Sequence, residues 1–600
     1  MKKGIICALT ALVLVGAMGL AACESAGESF TVELGYNNGV FAAEDGSPIG
    51  GKYDESLFYR NDLTLKNVAD PGVMYDGGKL WLYGTSNYLS NYGIAAWSSS
   101  DGIHWDSCGV AFEPALGSWS YSNLWAPEVV HDDVTGKYFM TYSARNCNTI
   151  VNGTGPYYGN TYIGLAVADS PQGPFKQWTG TNGNGDEITL GDPIFDPAKI
   201  TAMNGVACEE GFYARYRFLD SSLYTDRDGE KYIYFSRGQD RYKIFTEEDY
   251  FPEMDNSEIY VVKCKNKDFA TPDYSTVTQL TCVYYNTVDD TSASNRNSIE
   301  EERADSSNKI NEAPQMLERD GKYYLTFSVG GTSSNLYSVM QAVGDSPMGP
   351  FTKLDYDDGG LVLGTEISWT QMAGTAHHAF VEIGDELFIF YHTGADRYVI
   401  DTNNRVIAYD RAGFVENGKG EIVLASNGPT GYAIQPLAEA FSGYKNIAGD
   451  AKISATGLAA GSDVKYLNDG FFASHLRGAI RETEFNAGET VEITLDFSDY
   501  RTVTALMLYN SIDYDKTFYQ IAYIELDVKT EGGAKGKATV SNAAFSFDDS
   551  TRDGGMQLMF AGSNLTLDFN DILVKQIKIT FRAPRSEGYV AIGDIVVLGK

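Results

Sequence analysis

The chain has 600 residues, a formal net charge of −34, 43% hydrophobic and 21% charged residues. That describes a folded, water-soluble chain of more than one domain, and its acidity excludes nucleic acid, whose phosphates it would repel. With 63 Gly, 40 Tyr and 30 Phe but 17 Pro, the composition favours strands and turns over helices.

The amino terminus, "MKKGIICALTALVLVGAMGLAAC", joins Lys2-Lys3 to an apolar run. Such a run reads as a membrane anchor or an export signal. The ending "LAAC" resembles the bacterial lipobox, in which cleavage precedes a lipid-bearing cysteine. The expectation is a signal over residues 1–22, lipidation of Cys23, and a tether and lead-in over 23–50. The protein would be exported and held on the outer face of a bacterial cell membrane, touching lipid only through that anchor. No later segment is long and apolar enough to span a bilayer. Five further cysteines, Cys108, Cys147, Cys208, Cys264 and Cys282, show no CxxC spacing, which argues against a disulfide scaffold or a zinc site.

Five segments then share one layout: a short first strand, a turn rich in Asp and Gly, and an aromatic second strand. They are "DPGVMYDGGKLWLYGTS" from Asp70, "WAPEVVHDDVTGKYFMTYS" from Trp125, "DSSLYTDRDGEKYIYFS" from Asp220, "EAPQMLERDGKYYLTFS" from Glu312 and "GTAHHAFVEIGDELFIFYH" from Gly374. Their starts lie 55 to 95 residues apart, wider than the roughly 40–50 of compact propeller repeats, so long loops fill the difference. The turns "ADSPQGPF" at Ala168 and "GDSPMGPF" at Gly344 form a second repeat. The prediction is an all-β chain whose residues 51–443 form a five-bladed β-propeller.

In a propeller the innermost strands surround one axis, so acids at matching positions converge. Asp70, Asp220 and Glu312 each precede a serine by sixteen residues. Hydrolysis of a glycosidic bond needs a general acid and an opposing base or nucleophile, and neighbouring carboxylates push their acidities apart. The alternative for each acid alone is a turn-flanking surface carboxylate. No Ser/His/Asp elbow, phosphate loop or HExxH helix competes.

Taken in order, "ADPGVMYDGGKLWLYGTS", "SSSDGIHWDSCG", "WAPEV", "LDSSLYTDRDGEKYIYFS", "NEAPQMLERDGKYYLTFS", the SPxGPF turns and "NGPTGYAIQPL" resemble glycoside hydrolase family 43 over about residues 55–440. The resemblance implies an inverting glycosidase acting on arabinose- or xylose-containing plant carbohydrate. In it Asp70 is the general base, Asp220 the modulator and Glu312 the general acid. It also implies that Arg405 reaches the sugar and the modulator, that Trp125 walls the pocket, and that His377 serves a central structural calcium, with no cofactor needed for the chemistry. A surface arginine, a core tryptophan and a hydrogen-bonded histidine are the respective alternatives. Glu128, in "WAPEV", is the rival acid, set lower because it breaks the common offset. A retaining fructosidase-type propeller and a non-catalytic sugar-binding propeller are the rival functions; the fructosidase signatures are absent.

After residue 444 the pattern changes. In "VEITLDF" Val491, Ile493, Leu495 and Phe497 alternate onto one face, the mark of an antiparallel sandwich. With "LMLYNSIDYDKTF" and "AIGDIVVLGK", residues 444–600 resemble the galactose-binding-like jelly roll of factor 5/8 C-type domains, which implies a carbohydrate-binding module or a structural accessory.

Overall fold

A computed structural model describes residues 29–34, 53–61, 65–86, 92–120, 122–145, 161–194, 212–243, 253–254, 257–303, 309–332, 334–364, 372–394, 404–431, 433–473, 475, 478–518, 520–544, 547–553, 556–559, 562–583 and 587–600. The signal, Cys23, Cys147 and Cys208 lie outside these residues. Cys108, Cys264 and Cys282 are free thiols.

Five antiparallel blades follow one another. Their inner strands are β1 (Val68–Asp76), β2 (Ser122–Asp132), β3 (Phe212–Thr225), β4 (Asn311–Arg319) and β5 (Ala376–Ile383). Each inner strand packs against the next, and β5 packs against β1, so the ring closes. The blades are built on buried, alternating aliphatic and aromatic side chains, such as Leu80, Leu82, Phe388 and Phe390 between blades five and one. In blade four the connection after β4 is Asp320-Gly321, both at positive φ (54° and 82°), as a two-residue hairpin turn matched to strand twist requires. The SPxGPF turns join the outer strands of blades two and four. Each presents a proline carbonyl to a tyrosine of the blade before: Tyr83 donates to Pro171 and Tyr234 to Pro347.

The ring is fastened by both ends of its own segment. Phe58–Tyr59 pairs with Gln435–Pro436, and Lys66 bridges to Val406 of blade five. Between them lies Asp410, fully buried, accepting hydrogen bonds from Tyr391 (2.6 Å), Gln435 (2.5 Å) and Thr430. Burial raises its carboxyl to about 6, against the pull of those donors.

The C-terminal part is a second β unit around two long strands, Thr490–Asn510 and Asn564–Arg582, each broken by register shifts. Val491, Ile493, Leu495 and Phe497 are all at most 1% exposed and share one core, as their alternation predicts. Further along the same strand both faces are buried: Leu506 and Leu508 stay in that core, while Ala505, Met507 and Tyr509 pack on Leu57, Phe58 and Ile434 of the propeller's closure. Tyr509 donates to the carbonyl of Ile434 at 2.7 Å. One element departs from the sequence reading. Phe30–Glu33, within the expected tether, is a strand paired in parallel with Lys535–Ala544 of this C-terminal sheet. A Cβ on Gly536 would stand 2.6 Å from the ring of Phe30, so a larger residue there would displace the ring.

Candidate active site

All five inner strands carry the same irregularity. The ladder skips between Ala69 and Gly72, Trp125 and Glu128, Leu219 and Ser222, Glu312 and Gln315, and Ala376 and Ala379. Two residues face one on the partner strand, which is a β-bulge, a device that re-aims side chains beside sites. The first bulged residue has positive φ in every blade: Asp70 (51°), Ala126 (45°), Asp220 (53°), Ala313 (52°) and His377 (47°). The second is Pro71, Pro127, Ser221, Pro314 or His378. A proline fits there because the bulge leaves its missing N–H out of the ladder.

This corrects the matching of the acids. Asp70 and Asp220 are equivalent bulge residues, but Glu312 stands one residue earlier, paired directly with Ser328. Its equivalents are Ala69, Trp125, Leu219 and Ala376. The equal sixteen-residue offset has a different origin in each blade: Asp220 is reached through a longer hairpin connection, Thr225 pairing with Lys231 where Arg319 pairs with Lys322, and the serine counted from Asp70 is Ser86, one residue past Thr85, the partner of Ala69. Trp125 thereby occupies the position of Glu312 in its own blade, and its indole lies under the Arg145 guanidinium at 5.6 Å.

Four of the five bulges are latched to the preceding blade through the backbone N–H of the first bulged residue. Ala126 donates to Thr85 Oγ1, Asp220 to Ser143 Oγ and His377 to Ser328 Oγ, all at 2.9 Å. Asp70 closes the ring by donating to Nδ1 of His392 in blade five, at 3.2 Å. A histidine thus stands where blades two, three and five use a hydroxyl.

Around Asp70 the cation is Arg405, whose Nη1 donates to Oδ1 at 2.8 Å. His377 Nδ1 lies 3.4 Å and His392 Nδ1 3.2 Å from the same oxygen. Burial would raise the carboxyl, but Arg405 and then the histidines hold it well below the usual carboxylate range. Burial also lowers both histidines, His392 to about 4. We therefore assign His392 as neutral, with Nδ1 accepting the Asp70 N–H, so that it makes no ion pair with the carboxylate. Arg405 supplies the charge. Its contact is with Asp70, where the resemblance placed it at the modulator Asp220.

Glu312, partly exposed, accepts a hydrogen bond at Oε1 from Tyr337, 2.6 Å away. Tyr337 precedes the third strand of blade four and is wholly buried. Burial, then Glu312, Asp220 and Asp70 in that order, keep its phenol protonated. All three acids therefore act on one side chain, and they do converge. Tyr337 was missed by the sequence reading; no motif marks it. Glu128 lies two residues past its blade's bulge residue, Ala126. Its Oε1 accepts from the Leu223 N–H at 3.0 Å and its Oε2 from Gln315. Burial raises it to about 7 despite those two donors. With both oxygens held by blades three and four, Glu128 is a strut across the axis.

The donors around His377 suit a calcium ion poorly. The nearest carboxylate to His377 is already neutralised by Arg405, and among the described residues no group of three or more His, Cys, Asp or Glu is placed to hold a metal. His378 is buried beside it, lowered by burial to about 3, and its Nε2 meets Thr326 Oγ1 at 2.6 Å.

Residues 59–208 and 209–419 match the model of glycosyl hydrolases family 43, more than half of the chain. A β-xylosidase of Xylanibacter ruminicola is 26% identical over 54% of this chain and 87% of its own. A xylosidase/arabinosidase of Bacteroides ovatus is 27% identical over 54% of this chain and 85% of its own. Among solved structures, a thermostable family-43 glycoside hydrolase is 25% identical with a TM-score of 0.45, covering 63% of this chain and 98% of that one. A bulged five-blade ring with three convergent carboxylates and a matching family model give one conclusion: the chain is a glycosidase and belongs to glycoside hydrolase family 43.

Proposed function

We propose that the enzyme removes arabinose or xylose units from plant carbohydrate by single displacement with inversion, and lean to α-L-arabinofuranose as the sugar. The observation that carries the proposal is the contrast between two carboxylates. Asp70 is kept ionised by Arg405, as a base must be to take a proton from the attacking water. Glu312 stands partly exposed with one oxygen held by a phenol, an environment in which a carboxyl can carry a proton to the leaving oxygen. Asp220, the other bulge acid, positions and modulates the acid. Trp125 and Arg405 contact the sugar. The names of the two relatives support a pentose. The C-terminal unit packs on the propeller's closure through Tyr509 and Met507, which favours a structural accessory and leaves carbohydrate binding as a further role.

In the C-terminal unit Asp594 is fully buried and its Oδ2 has no hydrogen-bond partner among the described residues. Burial and its neighbour Asp469 push it up, and burial raises Asp469 to about 7, so the pair is held by protons. At the amino terminus, lipidation of Cys23 rests on the lipobox alone; palmitate should label the wild type and not Cys23→Ala.

The function is tested with nitrophenyl α-L-arabinofuranoside, β-D-xyloside and β-D-galactoside. Hydrolysis of the first or second, abolished in Asp70→Asn, is expected. Turnover of neither pentoside, or full activity in Asp70→Asn, would overturn the reading.

A further inference from the structure

A buried phenol needs a partner for its hydroxyl, and Tyr337 finds it in a carboxylate that the reading above makes the general acid. The bond is 2.6 Å long and its donor is 0% exposed. The same ring lies against His392, centroids 5.7 Å apart and planes tilted by 31°, and His392 in turn latches the backbone of Asp70. One side chain thus touches the acid with its polar end and, with its face, the residue that positions the base.

Resting on that assignment of Glu312, we propose that Tyr337 is a positioning residue for the general acid, fixing which carboxyl oxygen delivers the proton and stabilising the charge left behind. Oε1 accepts the phenol's proton, so the carboxyl's own proton resides on Oε2 and leaves from there. As the proton passes to the glycosidic oxygen, the Tyr337 bond changes from neutral to charge-assisted and strengthens about twofold. An interaction that grows toward the transition state raises turnover and leaves substrate binding unchanged. Among the described residues the other charged and titratable groups facing this cluster are Asp220 and Asp70, which also act on the Tyr337 phenol, and Arg405, His377 and His392, gathered on Asp70. Against the two carboxylates, the phenol donates to the acid and so favours its ionised form.

Tyr337→Phe keeps the ring against His392 and deletes only the hydroxyl. On a methyl glycoside of the accepted sugar, whose leaving group needs protonation, kcat should fall roughly tenfold with KM unchanged, and on the nitrophenyl glycoside by less than about threefold. The basic limb of kcat/KM should move to higher pH, because Glu312 loses a donor to its carboxylate. A uniform loss on both substrates with an unmoved limb would make Tyr337 a packing residue and overturn the inference. Glu312→Gln, run beside it, separates the two levels. If Glu312→Gln shows the leaving-group dependence and Tyr337→Phe does not, the inference alone fails. If Glu312→Gln turns over the methyl glycoside normally, the acid assignment fails with it.

Discussion

Replacing Arg405 by methionine removes the cation that holds Asp70 ionised and keeps most of the apolar volume. The guanidinium nitrogen is 2.8 Å from the carboxylate, and the side chains are 14% and 9% exposed, so water screens the pair little. Unit charges with centres about 4 Å apart interact by about 4 kcal/mol at an effective dielectric near 20. At about 1.36 kcal/mol per unit of pKa, that corresponds to an upper bound of roughly 3 units. Burial, the largest influence on Asp70, is then opposed only by His377 and His392, which burial disfavours as cations. The acidic limb of both kcat and kcat/KM should therefore climb by about 2 pH units, with activity recovering toward alkaline pH. Because the native Asp70 is depressed, its contribution to stability is present above its unfolded value and lost as pH falls through its folded value. Acid unfolding of Arg405→Met should accordingly begin at higher pH than in the wild type. An unmoved acidic limb in a variant that still turns over at pH 8 would refute the assignment of Arg405 as the group that keeps the base ionised.

Ser143→Ala should leave the Asp220 N–H without its latch at a cost of about 1–3 kcal/mol, read as a lower melting temperature together with a loss of kcat. An unchanged melting temperature would show that the latch is dispensable. Asp594→Asn should melt at a higher temperature than the wild type at pH 8, because the amide needs no proton there; an unchanged or lower melting temperature would show that the buried pair is not held by protons. Wild-type stability should likewise decline as pH rises from about 4 towards 7, because both carboxyls are raised in the folded state.

The blades were legible because each hairpin writes itself locally: an aromatic second strand, an Asp-Gly turn and alternating burial need no distant partner. The sandwich was legible for the same reason along Val491–Phe497. What the sequence concealed is set by contacts between blades. The bulge in each inner strand has a local trace, the Asp-Pro and Ala-Pro dipeptides at Pro71, Pro127 and Pro314, but counting residues to a serine misses it. Glu312 was thereby placed one residue out of step with Asp70 and Asp220. The partner of Arg405 could not be foreseen, since Asp70 lies more than three hundred residues away and meets it only when blade five closes on blade one. Tyr337 has no motif, and its role rests on reaching a residue in another strand. The strand at Phe30–Glu33 was read as tether because its four residues pair with a segment at the far end of the chain.

The central claim, single displacement with Asp70 as base and Glu312 as acid, is tested most directly by proton NMR of the first-formed sugar. The account predicts that the anomeric signal at early times is that of the inverted hemiacetal, before mutarotation mixes the anomers. Initial appearance of the retained anomer would contradict it and turn one of the carboxylates into a nucleophile.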